Sequence, residues 1–219
     1  MTDRDADGRR DKLVAAKRRW AGEQRLITGQ HGDPTQDRVP PGQTVTTGWP
    51  VLDLGEQPLV TERSFRLDIV GFVRRPLSLD WAAFQALPQV ESVSDMHCVT
   101  QWSRLDNNWR GVTAAALLAM AEPKDEARHV LFHSQDGYTT NVRLEQFIQA
   151  GAMLVHQWNG EPITREHGGP VRVLIPQLYL WKSPKWIRRI ELAASDRQGF
   201  WETRGYHNNA DPWAEERYG

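Results

Sequence analysis

The chain has 219 residues, enough for one large domain. Its 27 Lys and Arg against 28 Asp and Glu leave a formal net charge of -1, which removes any global electrostatic case for binding nucleic acid or an anionic membrane. Mean hydropathy is -0.61, and no apolar run approaches the ~20 residues that a membrane helix needs.

Residues 1–10 read as a polar tail. Neither Arg9-Arg10 nor Arg18-Arg19 is followed by the apolar stretch of an export signal, so a cytoplasmic location is expected. Leu13, Ala16, Trp20, Gln24 and Ile27 fall at helical spacing and predict a short amphipathic helix over 11–27. Residues 28–62 contain Pro40-Pro41-Gly42 and Gly48-Trp49-Pro50, which predicts an extended wrapping segment. This reading sets a tail and helix over 1–39 ahead of a domain over 40–219.

Phe65, Leu67 and Ile69 alternate, predicting a strand through about Val73. Asp80 is placed to cap a short helix carrying Trp81, Phe84 and Leu87, stopped by Pro88. Residues 89–97 read as extended, and 105–108 as a loop. Val112 to Met120 predicts a helix of small residues. His129–Phe132 and Tyr138–Val142 read as strands joined by the turn pair Asp136-Gly137. Leu144–Gln149 is predicted as a short helix and Ala152–Trp158 as a strand, followed by the hairpin pair Asn159-Gly160. Val171–Ile175 and Trp186–Leu192 complete the strands, and the aromatic tail over 199–219 is expected to pack on the surface. Strands interspersed with short helices and hairpins argue a mixed α+β domain. There is no Gly-x-Gly-x-x-Gly, Walker loop or His-Glu-x-x-His.

Chemistry concentrates in two stretches. The first, Asp95 to Arg104, holds Cys98, the one cysteine of the chain. A lone cysteine forms neither an internal disulfide nor a Cys-x-x-Cys pair. It is left as a buried filler, a nucleophile, or a single soft ligand to a metal held mainly by something else. Its polar neighbours His97, Thr100, Gln101 and Ser103 are unlike the apolar run around an inert core cysteine. His97 is a poor base for it, because successive side chains on an extended segment point opposite ways. The second stretch runs from His167 to Arg172 and on through Lys182-Ser183-Pro184-Lys185-Trp186. Glycines beside His167 allow a close backbone approach to a ligand. Arg, Lys and Ser converging from two loops suit an anion such as phosphate, Arg supplying the fork and Lys the point charge; a solvent-facing basic loop is the plain alternative.

Together, the Cys98 stretch with Trp102-Ser103, Trp109-Arg110-Gly111-Val112, Gly137-Tyr138, the His167–Arg172 run, Lys182–Trp186 and the tail motifs Gly199-Phe200-Trp201-Glu202 and Asp211-Pro212-Trp213 resemble the molybdopterin-binding domain of sulfite-oxidase-type oxidoreductases. The small bacterial members, related to the catalytic subunit of protein-methionine-sulfoxide reductase, are closest in kind. The resemblance implies a sulfite-oxidase-like fold of mixed sheets and short helices over roughly 40–215, with a molybdenum–molybdopterin cofactor. It implies two-electron oxygen-atom transfer on a small or protein-bound substrate, with Cys98 as the thiolate ligand. It further implies that His167, Arg172, Lys182, Ser183, Lys185 and Ser134 hold the cofactor, and that Thr47 and Trp49 close over it. Arg104 and Asp136 are the charged residues expected at the substrate mouth. Classical sulfite oxidases follow the cysteine with several arginines, and here Arg104 stands alone. This puts sulfite in doubt and leaves sulfoxides and N-oxides as candidates. The chain has no room for a haem domain, so a separate electron-transfer protein is expected as partner. The residues alone leave open a cofactor-free thiol enzyme, and a binding protein that keeps the fold without the metal.

Overall fold

A strand forms where apolar side chains alternate and the neighbouring backbone is free to pair, and two sheets are built this way. The computed structural model describes residues 38–55 and 57–219. The predicted tail over 1–10 and helix over 11–27 lie outside the described residues. In chain order the elements are β1 (Thr44–Val45), β2 (Arg66–Gly71), β3 (Leu77–Asp80), α1 (Trp81–Gln85), β4 (Val90–Cys98) and β5 (Trp102–Thr113). There follow α2 (Ala114–Ala121), β6 (His129–Ser134), β7 (Thr139–Arg143), α3 (Leu144–Phe147), β8 (Met153–Trp158), β9 (Glu161–Pro162), β10 (Arg172–Leu174) and β11 (Ile187–Ala193).

One sheet has the order β3-β2-β11-β6-β7, in which only β2 and β11 run parallel. The other is centred on β5, which takes β4 along one edge and β1 and β8 along the other, β8 passing the sheet on to β9 and β10. Leu67 and Ile69 of β2, Val130 and Phe132 of β6, and Ile190 and Leu192 of β11 join Phe84, Leu117, Leu154 and Val173 in one buried cluster. Each such side chain contributes about 1.5–3 kcal/mol of apolar burial.

The caps follow the sequence. Asp80 accepts from the Ala83 N–H at 2.9 Å, and Thr113 caps α2 by accepting from Ala116. That cap starts α2 two residues later than its small residues suggest, and leaves Val112 in β5. Asn159 and Gly160 both have positive φ, as a two-residue hairpin requires. Gly111 marks where β5 shifts register on β8: a Cβ there would lie 2.0 Å from the Leu154 carbonyl oxygen.

Two readings are corrected. Residues 105–108 are not a loop but the middle of β5. The polar run is accommodated by an irregularity opposite Asp95, with Asp106 at φ 55 and its N–H bonded to the Asp95 carboxylate. Asn107 is fully buried and donates to the Ser94 and Arg104 carbonyls. The second is the missed strand β3, where Leu77 and Leu79 alternate with polar residues beyond Pro76 and pair with β2.

Candidate active site

The β4–β5 hairpin delivers the cysteine. Cys98 ends β4 and faces Trp102 at the start of β5. It is 5% exposed, yet it forms part of the wall of a cavity of about 380 Å³, a size suited to a small molecule. Thr100 Oγ1 donates to Cys98 Sγ over 3.1 Å. Burial pushes the thiol pKa up; the Thr100 bond and the charge of Arg217 oppose this. Val99, Trp102, Leu180, Trp181, Trp201 and Tyr206 pack in the same cluster and line the same cavity.

A second group of lining residues is charged. Arg172 opens β10, opposite Val155 of β8, and is 3% exposed. Its Nη1 and Nη2 donate to the carbonyls of His167 and Ser183, each at 2.8 Å. The guanidinium lies 5.2 Å from the Trp49 ring centroid. Burial alone pushes it down to about 10, and among the described residues no carboxylate offsets its charge. Lys185 Nζ donates to the Glu166 carbonyl at 2.6 Å and stands 4.0 Å from the Asp53 carboxylate. Asp136, on the same wall, accepts from the Tyr138 N–H, and burial raises its carboxyl pKa. Ser183 also lines the cavity, its Oγ accepting from the Ile175 N–H at 2.9 Å.

Trp49 reaches the cavity because β1 pairs in parallel with the start of β5, carrying the wrapping segment past the hairpin. His167 sits behind it, ring stacked on ring at 4.1 Å. His167 Nε2 meets the Trp49 carbonyl at 3.0 Å, which only accepts, so Nε2 carries the proton. Nδ1 then accepts from the Thr164 hydroxyl at 2.9 Å. Burial, the largest influence on His167, lowers its pKa and favours this neutral ring.

Of the residues singled out in the sequence, Cys98, Asp136, Arg172, Ser183, Lys185 and Trp49 come together on one cavity. The others do not line it. His167 is a buttress for Trp49. Arg104 is turned away from the mouth: it pairs with Met96 rather than at the Cys98 end, donates to Thr47 O and Asn107 Oδ1, and lies 4.5 Å from the Trp158 ring centroid. Thr47 is exposed and offers its carbonyl to Arg104. Ser134 is buried with an unpartnered hydroxyl, off the cavity wall. Lys182 is fully buried, paired with Glu202 at 2.7 Å and bonded to Asn141. It is a structural cation, and removing one member of such a pair costs about 3–5 kcal/mol. Gly168 and Gly169 serve chain packing rather than a ligand: a Cβ on Gly168, at φ +101, would lie 2.7 Å from Lys185 Cβ, and one on Gly169 would lie 2.0 Å from Ile163 O.

Sequence reasoning missed Tyr138, Trp181, Trp201 and Tyr206 as cavity walls. For Trp201 and Tyr206 the aromatic density of the tail was the available signal, although nothing in it says which rings face inward.

A thiol and a buried cation without a counter-charge, on the walls of one cavity, fit an anionic cofactor that brings a soft metal. Among the described residues no group of three or more His, Cys, Asp or Glu could hold a bare metal ion. A metal at Cys98 would therefore take its other ligands from the cofactor. The site and fold are those of a cofactor-dependent redox enzyme.

The chain belongs to the family defined by the oxidoreductase molybdopterin binding domain, whose profile matches residues 54–201. It is 44% identical over 182 residues to the uncharacterized oxidoreductase YuiH of Bacillus subtilis, covering 83% of this chain and 92% of that one. It is 29% identical to the protein-methionine-sulfoxide reductase catalytic subunit MsrP of Gluconobacter oxydans, covering 67% of this chain and 54% of that protein. It thus spans about half the length of that relative. The fold matches the sulfane dehydrogenase SoxCD of Paracoccus pantotrophus with a TM-score of 0.61 at 20% identity, over 72% of this chain and 46% of that one. The protein is a molybdopterin-dependent oxidoreductase of the sulfite-oxidase type, and its cofactor is molybdenum–molybdopterin.

Proposed function

We propose that the enzyme reduces a neutral sulfoxide-type substrate by oxygen-atom transfer, with Cys98 as the protein's ligand to molybdenum and Arg172 and Lys185 holding the anionic part of the pterin. When bound, the cofactor supplies the two-electron chemistry. The chain supplies orientation, charge and exclusion of water. The observation that carries the reading is the buried Arg172 guanidinium, uncompensated by any described carboxylate, lining the same cavity as the one cysteine sulfur of the chain. Ser183 and Trp49 also line that cavity, and His167 holds Trp49 in place.

The substrate class is read from the walls around the sulfur. Trp102, Leu180, Trp181, Trp201 and Tyr206 are apolar or aromatic, and Arg104 points elsewhere. Arg172 and Lys185 belong to the charged group with Trp49 and Asp53, which the anionic part of the pterin would occupy, and Arg217, whose charge reaches Cys98, is bonded to the Val99 and Pro41 carbonyls. A relative named as a methionine-sulfoxide reductase subunit supports the same choice. Reducing a sulfoxide to a thioether consumes two electrons and two protons and releases water. The electrons come from a separate protein, and the location proposed is the cytoplasm. Among the described residues no helix is long and apolar enough to cross a membrane. A cofactor-free thiol enzyme fits poorly, because no described histidine lines the cavity to act as base.

The direct test is metal and pterin analysis of protein from a molybdate-fed, cofactor-competent host, with a dye-coupled screen of sulfoxides, N-oxides and sulfite. Stoichiometric molybdenum and pterin with sulfoxide turnover is the expected result. Preferential sulfite oxidation overturns the substrate assignment, and absence of molybdenum overturns the ligand assignment.

A pH dependence follows from Lys185. Burial, then the charge of Arg172, pushes its ammonium down to about 8, while Asp53, Asp136 and Glu166 oppose this. A bound anion favours the charged form. Cofactor retention is therefore expected to be full below pH 8 and to weaken as pH rises through it. Folding stability responds in the opposite sense. Lys185 titrates near 10.5 when unperturbed, so between 8 and 10.5 the unfolded chain binds more protons and this group's contribution to stability rises with pH. Pterin release followed from pH 7 to 10 should show the step in the parent protein and lose it in Lys185→Met.

A further inference from the structure

We infer that Thr100 is a positioning residue for the reaction centre: its hydroxyl hydrogen-bonds the Cys98 sulfur and sets the reduction potential of the metal that the sulfur binds. This rests on the reading of Cys98 as the molybdenum ligand.

The hairpin places the hydroxyl. Strand β4 ends at Cys98 and β5 begins at Trp102, leaving a three-residue loop closed by Gln101 at φ 70. A left-handed third residue matches the twist of the flanking strands. The Gln101 N–H donates back to the Cys98 carbonyl at 3.1 Å, and Gln43 Nε2 donates to the same oxygen at 3.0 Å. Arg217 Nη1 holds the Val99 carbonyl at 2.7 Å, and the Thr44 N–H holds the Gln101 carbonyl at 2.9 Å. With these carbonyls tied, the loop has little freedom to rotate Thr100 away. Its Oγ1 donates to Cys98 Sγ at 3.1 Å, close for a hydrogen bond to sulfur.

The consequence is electronic. A sulfur lone pair engaged by a donor gives less charge to a metal, which stabilises the oxidised state less. Hydrogen bonds around a ligating cysteine sulfur tune metal potentials in this way. The aromatic and apolar neighbours of Cys98 keep the local dielectric low, so the effect is weakly screened. The cavity that this sulfur lines is also lined by the uncompensated Arg172, so the cysteine stands beside a charged group suited to a ligand and is not an isolated thiol.

The experiment uses the cofactor-loaded full chain and its Thr100→Val, Thr100→Ala and Thr100→Ser variants. The Mo(VI)/Mo(V) potential is read by titration monitored by electron paramagnetic resonance. X-ray absorption counts the sulfurs at molybdenum in the parent protein. In Thr100→Val and Thr100→Ala the potential should fall by about a tenfold change in the one-electron equilibrium, which is 59 mV. Thr100→Ser should keep the parent value, and metal and pterin contents should be equal in all four. An unmoved potential in both hydroxyl-free variants, or an equal shift in Thr100→Ser, overturns the inference. Three sulfurs at the metal together with an unmoved potential sink the role of Thr100 alone; two sulfurs sink the ligand role of Cys98 and this inference with it.

Discussion

Cys98→Ser is expected to abolish turnover while most of the pterin stays bound. The hydroxyl is a hard, poorly acidic donor in place of a soft thiolate. Even outer-shell partners of a metal are worth 10–100-fold, so losing the direct ligand proposed at Cys98 should cost more than about 100-fold. The fold should tolerate the change, because the side chain lies on a cavity wall and the β4–β5 register depends on backbone bonds. In the proposed arrangement, retention of the pterin rests on Arg172 and Lys185, which the substitution leaves untouched. Turnover with a dye, pterin fluorescence and molybdenum content, measured on one preparation, separate the two effects. Full activity in Cys98→Ser removes the ligand role.

Arg172→Ala is expected to do the reverse and release the cofactor. The guanidinium is buried, bridges the His167 and Ser183 carbonyls, and has no carboxylate partner among the described residues. Its charge is therefore available to a bound anion. Removing one member of a buried charged contact costs about 2–5 kcal/mol, so retention should weaken by ~30-fold or more. The variant also loses a tie between two loops, which makes Arg172→Lys the informative companion. Lysine keeps the charge without the planar fork and cannot span both carbonyls, so an intermediate loss is expected. Pterin remaining per protein after gel filtration is the measurement, with circular dichroism to show that the fold persists. Unchanged occupancy in both variants refutes the assignment.

Residue type and local pattern carried much of the site into the sequence. Cys98 is legible because it is solitary and set among polar residues. Arg172 is legible because a charge at the head of an apolar strand is out of place unless it has a buried task. Asp136 is legible as an Asx-type turn residue, and the structure shows its carboxylate accepting from Tyr138 two residues on. Two expected residues that do not line the cavity share one cause. Lys182 and Lys185 look equivalent in a single loop, but Leu180–Lys182 is a 3-10 turn that sends Lys182 inward to Glu202, while Lys185 stays on the cavity. Arg104 is close to Cys98 in sequence, yet strand register sends it to Trp158.

Most of the strands and short helices, the cap at Asp80, the cysteine and the pair of cationic loops were legible in the sequence itself, because propensity, capping and turn chemistry act over a few residues; β3 and the cap at Thr113 were not. The choice of cavity walls was made only by tertiary packing. Trp201 and Tyr206 meet the Cys98 site across about 100 residues of chain, and Trp49 arrives there through β1 pairing with β5. Side-chain direction depends on register and on which partner is nearest in space, and a linear pattern does not encode distances between segments that far apart.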